Sequence, residues 1–261
     1  MTERRSWTRD ELLVAFHFYN QTPFGKISHR NPEIINTAKL MGRTPSSLSM
    51  KMANIASCDP SITASGRSGL SGAAKADREM WQEMTRDWEN FFFNASEAFN
   101  KINKLQSPEA EAVCPDPSLE LDDFHGQEKL ATIKTRVGQQ QFRAVVLSAY
   151  DFRCCITGID IPELLIASHI VPWSRDPQQR LNPSNGLCLS SLHDAAFDKG
   201  LISLNEHLEL MLSPKLLNSS NDYLANSFEP YEGKPITNPS KHLPNPIFLQ
   251  HHRSEIFHKQ R

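Results

Sequence analysis

Residues 166–200 read IASHIVPWSRDPQQRLNPSNGLCLSSLHDAAFDKG. Ile166 and Ala167 lead an apolar run into Ser168-His169-Ile170-Val171, and Pro172 ends it because proline brings no N–H to a strand ladder. Asp, Pro, Gln and Asn residues then mark a loop. Gly186-Leu187-Cys188-Leu189 returns as a second strand. Ser190 or Ser191 can cap a short helix whose first turn holds His193 and Asp194, with Lys199 and Gly200 near its end. The expected unit is a hairpin closed by a helix, which places His169, Asn185 and His193 in order along strand, turn and helix.

This stretch resembles the HNH endonucleases of the ββα-metal class. It is most similar to their restriction-type branch, whose motif runs from an AxHI-x-PW strand through an NGL turn to an LH-xxx-FD-xG helix. Ser168, His169, Ile170, Pro172, Trp173, Asn185, Gly186, Leu187, Leu192, His193, Phe197, Asp198 and Gly200 fit that pattern. Upstream, TRVGQQQFRAVVLSAY (135–150) reads as a helix and is similar to the RxGQxxFRxxLL segment that precedes the hairpin in the same branch. The resemblance implies an α+β fold class, with a C-terminal ββα-metal (HNH) nuclease domain.

The chemistry implied is metal-dependent hydrolysis of DNA phosphodiesters. Water must lose a proton to become the nucleophile, and histidine titrates near working pH, so His169 is the expected general base. A cation on the phosphate stabilises charge on the phosphorus oxygens and the departing 3′-oxygen. In the family's arrangement His193 would hold that ion, Mg²⁺ or Mn²⁺, while Asn185 would bond backbone across the hairpin and orient the His169 loop. The implied products carry 5′-phosphate and 3′-hydroxyl ends.

One position departs from the pattern. Many HNH enzymes carry Asp or His immediately before the base as a second metal ligand, and here that place is Ser168. Asp198 is the candidate to join His193, although five residues along a helix put the two about 140° apart. Water and phosphate oxygens can complete a sparse Mg²⁺ shell. The rival reading is a DNA-binding or regulatory protein that keeps an HNH scaffold without cutting, and Ser168 is its main support.

The chain has 261 residues, 39% of them hydrophobic, enough for two domains of ordinary size. No apolar run reaches membrane length and the start, MTERRSWTRD, is too polar for a signal peptide, so a cytoplasmic location is expected and no membrane partner. Cys58, Cys114, Cys154, Cys155 and Cys188 form no even disulfide framework. Some HNH proteins hold a structural zinc between CxxC pairs. Here Gly158 stands where a second cysteine of such a pair would be, so a four-ligand zinc cage does not fit.

The net charge is −2, but its distribution is uneven. Residues 1–58 carry Arg4, Arg5, Arg9, Lys26, Arg30, Lys39, Arg43 and Lys51 against Glu3, Asp10, Glu11 and Glu33, a basic balance suited to phosphates. Residues 76–122 are acidic. Thr8 with Glu11 reads as a capping box before the helix LLVAFHFYN. Asn31-Pro32 opens PEIINTAKLM, Gly42 ends it, and Thr44-Pro45 opens PSSLSMKMANIA, whose Leu48, Met52 and Ile55 recur at helical spacing. The GRTPSSLSMKMAN phrase resembles helix-turn-helix DNA-binding domains, which makes Arg43, Ser47 and Lys51 candidate DNA contacts. A plain dimerising bundle is the alternative.

Arg136 and Arg143, on the helix before the hairpin, are further candidates for DNA backbone contact. SITASGRSGLSGAAKA reads as a loop. Residues 76–105 read as one long helix or two, with Trp81, Met84, Trp88, Phe91 and Phe92 in its core. SPEAEAVCPDPSLELDD reads as a linker, which places the domain boundary near residue 115 and gives domains 1–115 and 116–261. Leu201–Leu204 and Leu208–Leu212 form a second hairpin pattern, and the histidines of the terminal HHRSEIFHKQR read as solvated. Because one ββα site cuts one strand, a double-strand break needs two sites or two visits, and a homodimer would supply the former.

Overall fold

Thr8 opens the first helix with a reciprocal cap. Its Oγ1 accepts from the Glu11 N–H, and the Glu11 carboxylate accepts from the Thr8 N–H at 2.9 Å. Helix α1 (Arg9–Gln21) follows and buries Leu12, Leu13, Phe16 and Tyr19. Asn31 caps α2 (Pro32–Leu40) and Thr44 caps α3 (Pro45–Ala56), each with proline in the first turn where its missing N–H does no harm. Between them Gly42 takes a left-handed backbone, φ +63°, which glycine adopts without a Cβ penalty. The computed structural model describes residues 5–64, 72–104 and 123–257.

A short α4 (Pro60–Ala64) lies in the stretch expected to be loop, and residues 65–71 are outside the described ones. Residues 76–105 form two helices, α5 (Lys75–Arg86) and α6 (Trp88–Lys104), with Asp87 between them in a non-helical conformation. Phe16 meets Phe91 edge-on at 5.5 Å, and Met84, Trp88 and Phe92 are buried as expected of core residues, whereas Trp81 is only half-buried. These helices belong to the first of two compact units, Met1–Gln141 and Phe142–Arg261. The boundary expected near residue 115 lies outside the described residues.

Two cations expected to meet DNA are instead internal to this first unit. Arg43 binds Glu11 through Nε at 3.0 Å and Nη2 at 2.8 Å, and its guanidinium lies 4.0 Å over the Trp7 ring. Lys51 is buried with its Nζ 2.8 Å from Asp77 Oδ1. Asp77 also accepts the Ala74 N–H at the start of α5. A charge removed from water needs a matched partner beside it, so these side chains cannot leave without stranding Glu11 and Asp77. Ser47 sits half-buried in the first turn of α3.

In the second unit the end of α7 (Asp123–Ala149) supports the hairpin. This helix begins well before the expected 135–150. Strands β1 (Leu165–His169) and β2 (Gly186–Ser190) pair antiparallel with Ala167 opposite Cys188 and His169 opposite Gly186. A side chain at Gly186 would collide with Val146 and come within 3.0 Å of the Phe142 ring, so the close approach of α7 to the hairpin requires glycine there. Helix α8 (Ser191–Asp198) packs on both strands.

The second hairpin, β3 (Ile202–Leu204) and β4 (Leu210–Leu212), is also antiparallel, and α8 packs on β3. Helices α9 (Pro214–Leu217), α10 (Asp222–Phe228) and α11 (Pro246–His251) complete the unit. The tail corrects one expectation. His252 is 0% exposed, stacked 3.7 Å from Phe197, with Nδ1 2.9 Å from Ser203 Oγ and Nε2 3.1 Å from the Phe197 carbonyl. It is a core residue that ties the tail to the end of α8. Among the described residues, no helix is long and apolar enough to cross a membrane.

Candidate active site

His169 ends β1, and three elements converge on its ring. The Phe142 ring of α7 stacks on it at 4.1 Å, the edge of Trp173 meets it at 5.4 Å, and its Nε2 lies 2.8 Å from the Arg180 carbonyl. A carbonyl oxygen only accepts, so the proton sits on Nε2 and the Nδ1 lone pair is left to take another. Burial holds the imidazole below its ordinary pKa, against the opposite pull of the Arg180 carbonyl and the Asp194 charge. His169 is therefore a neutral imidazole of fixed tautomer.

Asn185 fastens the turn beside it. Fully buried, its Oδ1 accepts the Val171 N–H at 2.8 Å and its Nδ2 donates to the Val171 carbonyl at 3.1 Å. Its own carbonyl accepts from Ile170 at 2.9 Å. The two residues that follow His169 are thus held from the opposite side of the hairpin. Arg143 serves the other end of β1, donating to the carbonyls of Leu165 at 2.7 Å and Pro162 at 3.0 Å. That guanidinium holds strand backbone rather than standing free for DNA. Arg136 is exposed.

Helix α8 distributes its polar side chains in two directions. His193, 3% exposed, has Nδ1 2.9 Å from Ser190 Oγ and packs on Phe228 at 4.7 Å and Tyr231 at 6.1 Å. Its Nε2 is buried without a full hydrogen bond among the described residues, and burial lowers its pKa while the nearby Ser227 backbone raises it.

Asp194, in the first turn of α8, is half-buried. Burial raises its carboxyl above the ordinary range, while the Ser168 hydroxyl and the His169 ring favour its charged form. Asp198, one turn further on, is raised by burial and by the charge of Asp194, and lowered by Lys199. The Ser168 hydroxyl itself is 2% exposed and has no full hydrogen bond among the described residues. The Asp194 carboxyl is thus coupled to His169, while Asp198 is exposed near the end of α8. Among the described residues, no three His, Cys, Asp or Glu side chains form a metal cage unaided.

Residues 154–205 match the HNH_2 family model, described as HNH endonuclease. The match covers about a fifth of the chain and supports a nuclease acting on DNA. No curated protein matches the chain. The HNH segment contains β1, β2, α8 and β3, and with them His169, Asn185, His193, Asp194 and Asp198.

Sequence reading passed over Asp194, although a signal for it existed. Asp194 and Asp198 are four residues apart, the spacing that puts two side chains on one helix face. The three cysteines in or beside the hairpin, Cys154, Cys155 and Cys188, are buried free thiols, and burial pushes Cys188 up to about 12. They are core residues, while Cys114 lies outside the described residues.

Proposed function

We propose that this protein is a metal-dependent endonuclease that hydrolyses DNA phosphodiester bonds, with His169 as the general base. The observation that carries the reading is the Nε2 bond of His169 to the Arg180 carbonyl inside the HNH segment. It leaves Nδ1 as the proton acceptor, and the lowered pKa keeps that nitrogen unprotonated near neutral pH. His169 takes a proton from water as the water oxygen attacks phosphorus. The bond to the 3′-oxygen breaks, that oxygen takes a proton from solvent, and the ends are a 5′-phosphate and a 3′-hydroxyl.

Asn185 acts as a positioning residue by fixing the backbone that follows His169. His193 and Asp198 on α8 are the expected ligands of a divalent ion such as Mg²⁺ or Mn²⁺, whose shell water and phosphate oxygens would complete. Such an ion supplies positive charge to the phosphate when bound. With Arg43 and Lys51 engaged internally, the exposed Arg136 and the α2-turn-α3 outline around Ser47 are what remains for DNA backbone contact among the expected residues. The restriction-type motif supports a role in defence against foreign DNA, and a homodimer would bring the two sites that a double-strand break needs.

The test is incubation of plasmid with purified protein and Mg²⁺ or Mn²⁺, beside His169→Ala. Nicking that the substitution abolishes is the expected result. Intact plasmid with a retained gel shift would instead make the protein a non-cutting DNA-binding scaffold, the reading that Ser168 favours.

A further inference from the structure

We infer that residues 237–253, downstream of the HNH segment, strap the second unit together, and that His252 within them is a positioning residue that fixes helix α8 against β3. The strap is independent of the activity, whereas the positioning role rests on the nuclease reading above.

The strap is defined by where its hydrogen bonds end. Thr237 donates its N–H to the Cys155 carbonyl at 2.8 Å, and Ser240 donates to the Ala149 carbonyl at the end of α7 at 2.6 Å. Asn245 then donates its N–H to the Ser184 carbonyl at 3.0 Å, beside Asn185, while its Oδ1 caps α11 by accepting the Ile247 N–H at 2.9 Å. Past α11, His252 reaches the Phe197 carbonyl and Arg253 donates to that of Leu204 at 3.0 Å. The acceptors are main-chain carbonyls of α7, the hairpin turn, α8 and β3, together with the stretch between α7 and β1. A carbonyl left over by its own element must find a donor, so the strap completes the shape of the folded unit rather than reading its side chains.

His252 is the anchor that reaches the helix of the site. Its ring is fully buried and lies on that of Phe197 with 12° between the planes. A carbonyl only accepts, so Nε2, 3.1 Å from the Phe197 carbonyl, carries the proton, and Nδ1 accepts from the Ser203 hydroxyl at 2.9 Å. Phe197 is the next-to-last residue of α8, where carbonyls have no partner within their own helix. The Gly200 N–H takes one lone pair of that carbonyl at 2.9 Å, and His252 takes the other. Ser203 lies in the middle of β3, also fully buried. A flat ring with a donor on one edge and an acceptor on the other thus joins α8 to β3, a combination that neither phenylalanine nor an amide side chain reproduces.

The consequence for the site follows from the length of α8. A helix of eight residues does not hold itself in place and depends on what it packs against. Its first residue, Ser191, donates to the Leu164 carbonyl at 3.1 Å, and His252 fastens the other end. His193 and Asp198, the expected ion ligands, lie along this short span, so release of one end shifts them relative to His169 on β1. Being fully buried, His252 touches no DNA and acts through α8.

The experiment compares full-length wild type, His252→Phe and Ser203→Ala. Phenylalanine keeps a stacked ring and loses both hydrogen bonds, while Ser203→Ala removes only the bond to β3. Circular dichroism establishes that each protein is folded at the assay temperature, hydrogen exchange reads α8, and plasmid nicking with Mg²⁺ gives kcat and KM separately. In His252→Phe the α8 amides are expected to exchange about tenfold faster or more, with kcat about ten- to a hundredfold lower and KM for DNA within about twofold of wild type. Ser203→Ala is expected to move the same readings in the same direction by a smaller factor, and it decides the question if His252→Phe does not fold. A folded variant with wild-type exchange in α8 overturns the strap's hold on that helix. One with a lower melting temperature but wild-type kcat makes His252 a core residue only and overturns its positioning role. Wild type that never nicks DNA, beside faster α8 exchange in His252→Phe, leaves the strap standing and removes the nuclease reading together with the positioning role.

Discussion

The imidazole of His169 donates from Nε2 to the backbone carbonyl of Arg180 across 2.8 Å. The Arg180 guanidinium returns 4.9 Å over Trp173, whose edge meets the His169 ring. Strand end and distant loop therefore determine one tautomer together, and the reactive nitrogen follows from that bond.

The pH dependence of cleavage follows from the same ring. Burial lowers the His169 pKa from its ordinary 6.5, so the base is already unprotonated at neutral pH and becomes protonated only as pH falls below that value. The rate of plasmid nicking at saturating Mg²⁺ is expected to be flat through neutrality and to fall with a midpoint below 6.5. A rate that begins to rise only above neutral pH would sink the assignment of His169 as base.

Asn185 bonds both polar groups of Val171 from a fully buried position. Asn185→Ala strands the Val171 N–H and carbonyl together, and two unmet buried groups cost about 2–6 kcal/mol. A lower melting temperature of the second unit is expected, with loss of cleavage but with Mn²⁺ binding retained where the protein is still folded. An unchanged melting curve would show that the clamp contributes nothing.

Gly186 leaves space that α7 fills with Val146 and Phe142. Gly186→Ala adds a methyl group where no void exists, and overpacking of this kind costs about 1–3 kcal/mol. Because Phe142 also stacks on His169, cleavage is expected to decline along with stability. Denaturant titration of the variant beside wild type measures the first effect, and equal midpoints would contradict it.

Acid should loosen the first unit through Glu11. Burial alone would raise its carboxyl, but hydrogen bonds from Arg43 and the Thr8 N–H, with the charges of Arg43 and Arg5, prevail and hold it at about 2 instead of 4.5. A folded pKa below the unfolded one means stability that is present above pH 4.5 and lost as pH falls from 4.5 through about 2. Urea unfolding followed by tryptophan fluorescence over that range should show the loss in wild type and a flatter profile in Glu11→Gln. Parallel profiles for the two proteins would exclude Glu11 as the source.

The parts legible in the sequence are those governed by neighbours along the chain. Thr8, Asn31 and Thr44 cap the helices they precede because a cap needs only residues within about three positions. The β1–β2 hairpin and the placement of His169 at its end follow from an apolar run, a proline, a polar loop and a glycine. Arg43 and Lys51 show why charge counting fell short: their carboxylates, Glu11 and Asp77, lie 32 and 26 residues away. His252 sits in a tail whose polar composition suggests solvation, whereas Ser203 and Phe197 enclose it.

By itself the sequence determined the first three helices, both hairpins and the residue types along the His169 hairpin, since periodicity, caps and turn residues act over a few positions. The tertiary structure decided which nitrogen of His169 is free, because that depends on the Arg180 carbonyl across a loop. It also decided which way α8 is rotated. Phe228 and Tyr231, brought from beyond the second hairpin, draw His193 into apolar packing. A helix's periodicity sets the angles between its side chains, but only packing against other elements sets which of them meets the strand.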